Sequence, residues 1–375
     1  MGLASYGRPI YADVFRSHVR LEEGSVKLDL NHYTFHEGPI TDSFGKPRQW
    51  YSSRFSDTFG PPRIAESEIT TRDADIAASA QLVLEERCYQ LLERLHRLTG
   101  LDTVCVAGGV ALNCSMNGKI RDNTPFRNVF VMPAANDAGL SIGAALWASH
   151  MIEPGFRRVS IDHAYLGSDH DIVDIETIVQ ALPPEVIVEK PAELVEVVAD
   201  LLEGFAIVGW YQGRMEFGPR ALGHRSILAN PTRADTKDIV NARVKFREMF
   251  RPFAPMVPIE AAAEYFDPSY SNPFMLQVVS VLPEKRAIIP AVTHVDGSAR
   301  VQTVTAEQNP DIYRLLWAMK KRNGVPVLLN TSFNIRGDTI VRTPEDAMKC
   351  FLGTGMDALA IGPYLLRKRR GAAIP

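Results

Sequence analysis

The chain has 375 residues, of which 46% are apolar and 23% charged, with 41 Lys and Arg against 44 Asp and Glu. That length accommodates two domains with buried cores, and a net charge of −3 excludes a general attraction to nucleic acid or to an anionic membrane surface. Any cationic site has to be local.

The four cysteines, Cys88, Cys105, Cys114 and Cys350, form no CxxC pair. This argues against a metal knuckle or a disulfide framework, and a reducing cytoplasm is the expected location. The longest apolar run, residues 139–152, is interrupted by Ser141, Ser149 and His150 and is too short to span a bilayer.

In chain order, the opening MGLASYGRPIYADVF starts directly on turn-forming Gly and Pro and reads like the middle of a protein. Residues 24–69 are polar, aromatic and turn-rich. Ile76, Ala80, Val83, Leu84, Leu91, Leu92 and Leu95 then recur mostly three and four apart, which predicts a long helix capped by Asp73 and ended by Gly100. TVCVA (103–107) and NVFVM (128–132) predict short buried strands, and residues 138–152 a second helix. The alternation argues for an α/β fold. The pattern lapses near 154–171 and resumes with a strand at 186–190, a helix at 192–202 and a strand at 206–211. Further strands are expected at 275–281 and 325–329, and helices at 311–321 and 344–351. Two α/β domains are expected, 1–155 and 156–375.

Two constellations carry chemistry. After the 103–107 strand comes GGVALNCSMNGKI, where Gly108 and Gly109 permit a sharp turn that brings backbone N–H groups against a ligand. A helix start behind them would point its positive end at a phosphate, and Asn113 and Asn117 offer side-chain hydrogen bonds. The bland alternative is a plain tight turn. Asp137, in PAANDAG, sits where a carboxylate holds a metal–phosphate complex or merely caps a helix.

The second constellation is cationic. YQGRMEFGPRALGHRSI (211–227) sets Arg214, Arg220, His224 and Arg225 among Gly213, Gly218, Pro219 and Gly223. KFREMFRPFAPM adds Lys245, Arg247 and Arg251, VDGSAR adds Arg300, and LLNTSFNIRGD brings Ser332, Asn334 and Arg336 to a strand end. Arginine suits a planar, bidentate grip on phosphate or carboxylate-like groups. Each arginine alone reads as a surface ion pair; set together beside Gly, Pro and strand ends, they point to one pocket for a small, doubly charged anion. His224 either donates to a phosphate or packs the turn.

GGVALN with PAANDAG resembles the ASKHA (actin-like ATPase) fold, in the branch shared by carbamoyltransferases and the tRNA threonylcarbamoyladenosine machinery. FGPRALGHRSILANP, KFREMFRPFAP and VLLNTSFNIRGD resemble the YrdC-like C-terminal domain of the NodU/CmcH family of O-carbamoyltransferases, and the resemblance runs from residue 1 to about residue 368. It implies a partial ASKHA domain followed by a YrdC-like α/β domain. The latter would turn carbamoyl phosphate and ATP into carbamoyl adenylate with release of pyrophosphate, and the former would transfer the carbamoyl group to a hydroxyl of a small molecule such as a sugar or natural-product scaffold.

Carried over by motif, Lys245, Arg251 and Arg300 would be catalytic. Gly108, Gly109, Asn113, Arg220, Ser332, Asn334 and Arg336 would bind nucleotide and phosphate, and Asp137 would ligate a divalent metal, Fe or Mg. In the family a first lobe precedes MGLASYG and carries the histidines that complete the metal site, so a missing lobe, a partner chain or self-association is expected. His32 and His36 of HYTFH lie on a strand-like segment, too far apart to chelate easily. The runner-up is a non-catalytic nucleotide-binding subunit of a split carbamoyltransferase. A tRNA-modifying reading would want a basic surface that the charge balance does not supply.

Overall fold

The computed structural model describes residues 1–38, 41, 49–64, 66–153, 155–157 and 159–369. Parts of the aromatic segment 31–59 and of the linker 154–171, and the last residues of the chain, lie outside the described residues. By contacts the chain forms two compact units, Met1–Val104 with Lys119–Val129, and Cys105–Gly118 with Phe130 onward.

The first unit is organised by one helix. α1 (Ala12–His18) leads into the hairpin β1 (Val19–Glu22) and β2 (Ser25–Leu28), and α2 (Ser53–Phe59) precedes α3 (Thr71–Thr99). At about 1.5 Å per residue α3 is about 44 Å long. Its N-cap is Thr70 rather than Asp73; Asp73 stands three residues on and closes a capping box with Thr70. Gly100, at φ 66, ends the helix as the sequence predicts. The motif MGLASYG packs directly on it. A side-chain carbon at Gly7 would stand 2.1 Å from the Ala74 carbonyl oxygen, and the Arg8 amide donates to Asp75 Oδ1 at 2.7 Å. Ala12, Phe15, Phe59 and Val83 form the small core.

β3 (Thr103–Val106) and, beyond the short helices α4 (Cys114–Gly118) and α5 (Ile120–Asn123), β4 (Asn128–Val131) make a two-stranded sheet. Only Val104 and Val131 of these strands are buried, so they are not the buried strands expected; among the described residues each has a single neighbour strand. α6 (Leu140–Ile152) forms as expected, yet none of its residues is buried.

The second unit is built round a mixed eight-stranded sheet. Its elements are α7 (Ile172–Gln180), β5 (Val186–Glu189), α8 (Leu194–Glu203), β6 (Val208–Tyr211), β7 (Arg225–Ala229), α9 (Thr236–Val240), β8 (Ala254–Pro258), β9 (Phe266–Asp267), β10 (Val279–Val281), β11 (Ser298–Ala299), β12 (Gln302–Val304), α10 (Pro310–Asn323), β13 (Leu328–Ser332), α11 (Pro344–Leu352), β14 (Ala358–Ile361) and β15 (Tyr364–Lys368). The order across the sheet is β12-β8-β13-β7-β6-β14-β15-β5, parallel at β12–β8 and β14–β6 and antiparallel elsewhere; β9, β10 and β11 form a separate small sheet. Alternating side chains feed two cores. Ile227 and Ala229 pack with Ile175 of α7 and Phe351 of α11, whereas Leu228 packs with Leu202 of α8 and Leu316 of α10. This is an α/β fold with helices on both faces of the sheet. No helix among the described residues is long and apolar enough to cross a membrane.

Candidate anion-binding site

At the C-terminal end of β13 the chain turns sharply. Ser332 Oγ donates to Asn334 Oδ1 at 2.7 Å, and Asn334 Nδ2 donates to the Asp338 carbonyl at 2.7 Å. Lys245 reaches this turn from a wide helical turn, Asn241–Lys245, that follows α9. Only 4% exposed, it sets its ammonium among four oxygens: Ser332 O (2.9 Å), Ser332 Oγ (3.2 Å), Asn334 O (2.8 Å) and Asn334 Oδ1 (2.5 Å). Burial, reinforced by Arg247 and Arg251, pushes the lysine down to about 7.

Arg247 and Arg251 act on its charge, and they are linked in turn to Arg300 and Arg220. Arg220 is pushed down to about 10, first by Arg300, then by burial, with Arg251 adding to both. Arg247 is lowered to about 10 by burial and then by Arg251 and Arg300. Charge effects thus link Arg220 with Arg300 and Arg251, and Lys245 with Arg247 and Arg251. Among the described residues neither Arg220 nor Arg300 pairs with a carboxylate, and the Nε of each is buried without a partner. Arg251 and Arg336 are more exposed and both approach Glu248, at 4.0 and 3.5 Å.

Arg247 is a member the sequence names only in passing. Its Nε donates to Asn241 Oδ1 (3.3 Å), its Nη2 to the Pro252 carbonyl (3.3 Å), and its guanidinium lies 4.4 Å over the Phe253 ring. Its spacing in KFREMFR was the available signal.

The other basic residues of 211–227 are structural. Arg214 donates to the Gly167 carbonyl at 3.1 Å. Arg225 is fully buried, with its guanidinium 3.6 Å over the Tyr211 ring and Nη1 donating to the Gln212 carbonyl at 2.8 Å. His224 packs the turn: its ring stacks on Tyr165 at 3.7 Å, Nδ1 donates to the Arg214 carbonyl at 2.6 Å, and burial holds its pKa below the ordinary value.

The glycine loop differs from expectation. Gly108 N donates to the Ala135 carbonyl at 2.7 Å, but the helix behind it is only a single turn, Gly109–Leu112, followed by the five-residue α4. Asn113 Oδ1 takes the Met116 amide at 3.1 Å and so restarts the helix, which leaves no long dipole aimed at a phosphate. Asn117 is a buried tie, its Nδ2 donating to the Ala111 and Leu276 carbonyls at 2.7 and 2.8 Å. Both loops nevertheless belong to the unit that holds the cluster: Cys114 is within electrostatic reach of Arg220, and a side chain at Gly218 would stand 2.7 Å from the Pro133 carbonyl oxygen.

Asp137 is exposed, at the first position of a helical turn whose N-cap is Asn136. Among the described residues no three His, Cys, Asp or Glu side chains are placed to hold a metal, so the donors present do not fit the expected ion. His32 bonds Asp29 at 3.0 Å and stacks on His18 at 3.8 Å, while His36 lies beside Phe35.

The fold and the cluster define an α/β protein with a group of mutually interacting cationic side chains. Two family models match the sequence, carbamoyltransferase N-terminus over residues 1–146 and carbamoyltransferase C-terminus over residues 199–368. The chain belongs to the carbamoyltransferase family. It is 39% identical over 397 residues to an uncharacterized protein of Synechocystis sp., covering 98% of this chain and 63% of the relative. It is 38% identical over 383 residues to the nodulation protein NolO of Bradyrhizobium diazoefficiens (98% and 65%). It is 33% identical over 380 residues to the 3'-hydroxymethylcephem-O-carbamoyltransferase of Amycolatopsis lactamdurans (99% and 65%). The chain therefore spans less than two thirds of the length of each. A crystal structure of full-length HypF in the phosphate- and nucleotide-bound form aligns over 48% of this chain and 22% of its own at a TM-score of 0.33 and 16% identity, a likeness too slight to bear on fold or chemistry.

Proposed function

We propose that this chain binds carbamoyl phosphate and the triphosphate of ATP on the arginine cluster, forms carbamoyl adenylate as carbamoyl phosphate gives up inorganic phosphate and ATP gives up pyrophosphate, and serves O-carbamoyl transfer to a small-molecule hydroxyl. One observation carries the reading. Arg220, Lys245, Arg247, Arg251 and Arg300 sit in one field that depresses Arg220, Lys245 and Arg247, and among the described residues Arg220 and Arg300 have no carboxylate to neutralise them. Two polyanionic substrates repel each other, and displacement at a carbamoyl or phosphoryl centre builds negative charge on oxygens. Fixed guanidinium donors in a partly dry pocket offset both.

In this reading Arg220, Arg247 and Arg300 grip the phosphates from the interior. Arg251 and Arg336 exchange Glu248 for substrate at the rim. Lys245 holds the Ser332–Asn334 turn on the nucleotide side, and Gly108, Gly109 and Asn113 approach the transferred group. Residues 156–375 would then be the YrdC-like, adenylate-forming domain, and residues 1–155 part of an ASKHA-like transfer domain. The small-molecule acceptor is supported by the relative named for 3'-hydroxymethylcephem. A non-catalytic subunit needing a partner is the second reading, favoured by the absence of a metal-holding set among the described residues and by the unburied α6.

The test is carbamoyl-phosphate-dependent exchange of labelled pyrophosphate into ATP by the purified chain, with Arg251→Ala as control. Exchange that disappears in the variant supports the adenylate-forming reading. A folded, monodisperse chain with no exchange supports the subunit reading instead.

A further inference from the structure

The loop that presents Arg220 is closed by a single carboxylate. Glu216, four residues earlier, is 4% exposed, and its Oε1 accepts the main-chain N–H groups of Leu222 (2.7 Å), His224 (2.9 Å) and Arg225 (3.2 Å). Residues 216–225 are thereby tied into a ring with Arg220 on its span. The carbonyls of the same loop are held from outside. Asn330 Nδ2 donates to Ala221 O at 3.1 Å, and Tyr165 Oη and Gln302 Nε2 both donate to Leu222 O, at 2.8 and 2.7 Å. Ser226 Oγ takes the Gly223 amide at 3.0 Å.

Of these ties only Glu216 is a carboxylate, and hydrogen bonds to an ionised acceptor are the strong ones. Among the described residues no ion pair joins Glu216 to Arg220, and the arginine that Glu216 favours in its charged form is the fully buried Arg225. The carboxylate therefore shapes the loop through its amides and leaves the Arg220 guanidinium unneutralised. An ordinary loop carboxylate at the surface would do neither.

We infer that Glu216 is a positioning residue that fixes the direction of Arg220 into the cationic pocket. This rests on the reading of Arg220 as an anion ligand.

The experiment measures inorganic pyrophosphate binding by calorimetry for the purified chain and for Arg220→Ala, Glu216→Ala, Glu216→Gln and the double variant Glu216→Ala/Arg220→Ala, with near-UV circular dichroism of each. Arg220→Ala is expected to weaken binding by about tenfold or more. Glu216→Ala should lose nearly as much, and the double variant no more than Arg220→Ala alone, because the two act on one contact. Glu216→Gln keeps an acceptor oxygen and should fall between; if Glu216→Ala fails to fold, this variant decides. Wild-type affinity in folded Glu216→Gln and Glu216→Ala, or losses that add in the double variant, would overturn the inference while leaving the pocket intact. Wild-type affinity in Arg220→Ala would overturn the reading of the pocket itself.

Discussion

Replacing Lys245 by methionine and following sulfate binding as a function of pH separates a lysine that answers to a bound anion from one that merely braces a turn. Burial, with Arg247 and Arg251 adding to it, lowers the ammonium from 10.5 to about 7. In the unliganded protein the amine thus loses its proton as pH rises through about 7, and a neutral amine has two N–H groups for the four oxygens around it. A dianion in the pocket favours the charged form, so binding above that pH must take up a proton. At about pH 8 roughly one lysine in ten is protonated. Sulfate, whose own charge is constant there, should then bind about tenfold more weakly than at about pH 6, a difference of about 1.4 kcal/mol. Titration calorimetry in two buffers of different ionisation heat reads both the affinity and the proton uptake. Lys245→Met should bind weakly at both pH values with no uptake. The same depression makes the unliganded fold more stable as pH rises from about 7 towards the ordinary lysine range, since the unfolded chain holds the proton there and the folded one does not. A flat profile in the wild type, or the same slope in the variant, would refute this reasoning.

Thr70→Ala removes the hydroxyl half of the capping box on α3 and should cost about 1 kcal/mol in a denaturant titration. Phe333 is fully buried against Gly209, where an added carbon would stand 2.9 Å from its ring; Phe333→Ala should cost about 3–5 kcal/mol in the same assay. Gly218→Ala meets both φ 132 and the Pro133 carbonyl at 2.7 Å, so the loop must shift and phosphate affinity should fall in calorimetry while the sheet core stays folded. Arg300→Ala removes the largest cause of the Arg220 depression, so thermal melting should show an unliganded protein at least as stable as wild type, but with a smaller rise on adding phosphate.

What the sequence reveals is what is locally encoded. α3 follows from apolar spacing and from Gly100 after it, while its start lies at Thr70, three residues before the Asp73 that the sequence suggests as cap. β7 and β8 are hidden for the opposite reason. β7 opens on Arg225 and Ser226 inside a stretch dense in glycine, and β8 carries Pro255 and Pro258 although it lies between β12 and β13. Their neighbours make them strands; their own propensities do not. The strand expected at 275–281 shrinks to β10 because the residues before it give their backbone elsewhere: Leu276 O accepts from Asn117 Nδ2, and Val278 N donates to Cys114 O at 3.0 Å. Those are contacts between residues far apart in the chain, which no window of sequence contains.

The site has the same two levels. Motif and spacing pick out the arginines, but only partners tell which of them are free to act. Arg16 is answered by Glu86, Arg322 by Glu196 and Asp200, and Arg243 by Asp357. Arg225 is as buried as any residue in the chain, yet it has the Tyr211 ring beneath it and Glu216 in its field. Arg220 instead has the like charges of Arg300 and Arg251 in its field, which lowers it and costs the unliganded fold stability. An arrangement of that kind persists when something outside the fold supplies the missing charge. Surroundings rather than number therefore separate Arg220 from its neighbours in the same short motif: Arg214 is exposed and given to the Gly167 and Leu166 carbonyls, and Arg225 lies over the Tyr211 ring with Glu216 in its field, whereas Arg220 has Arg300 and Arg251 in its own.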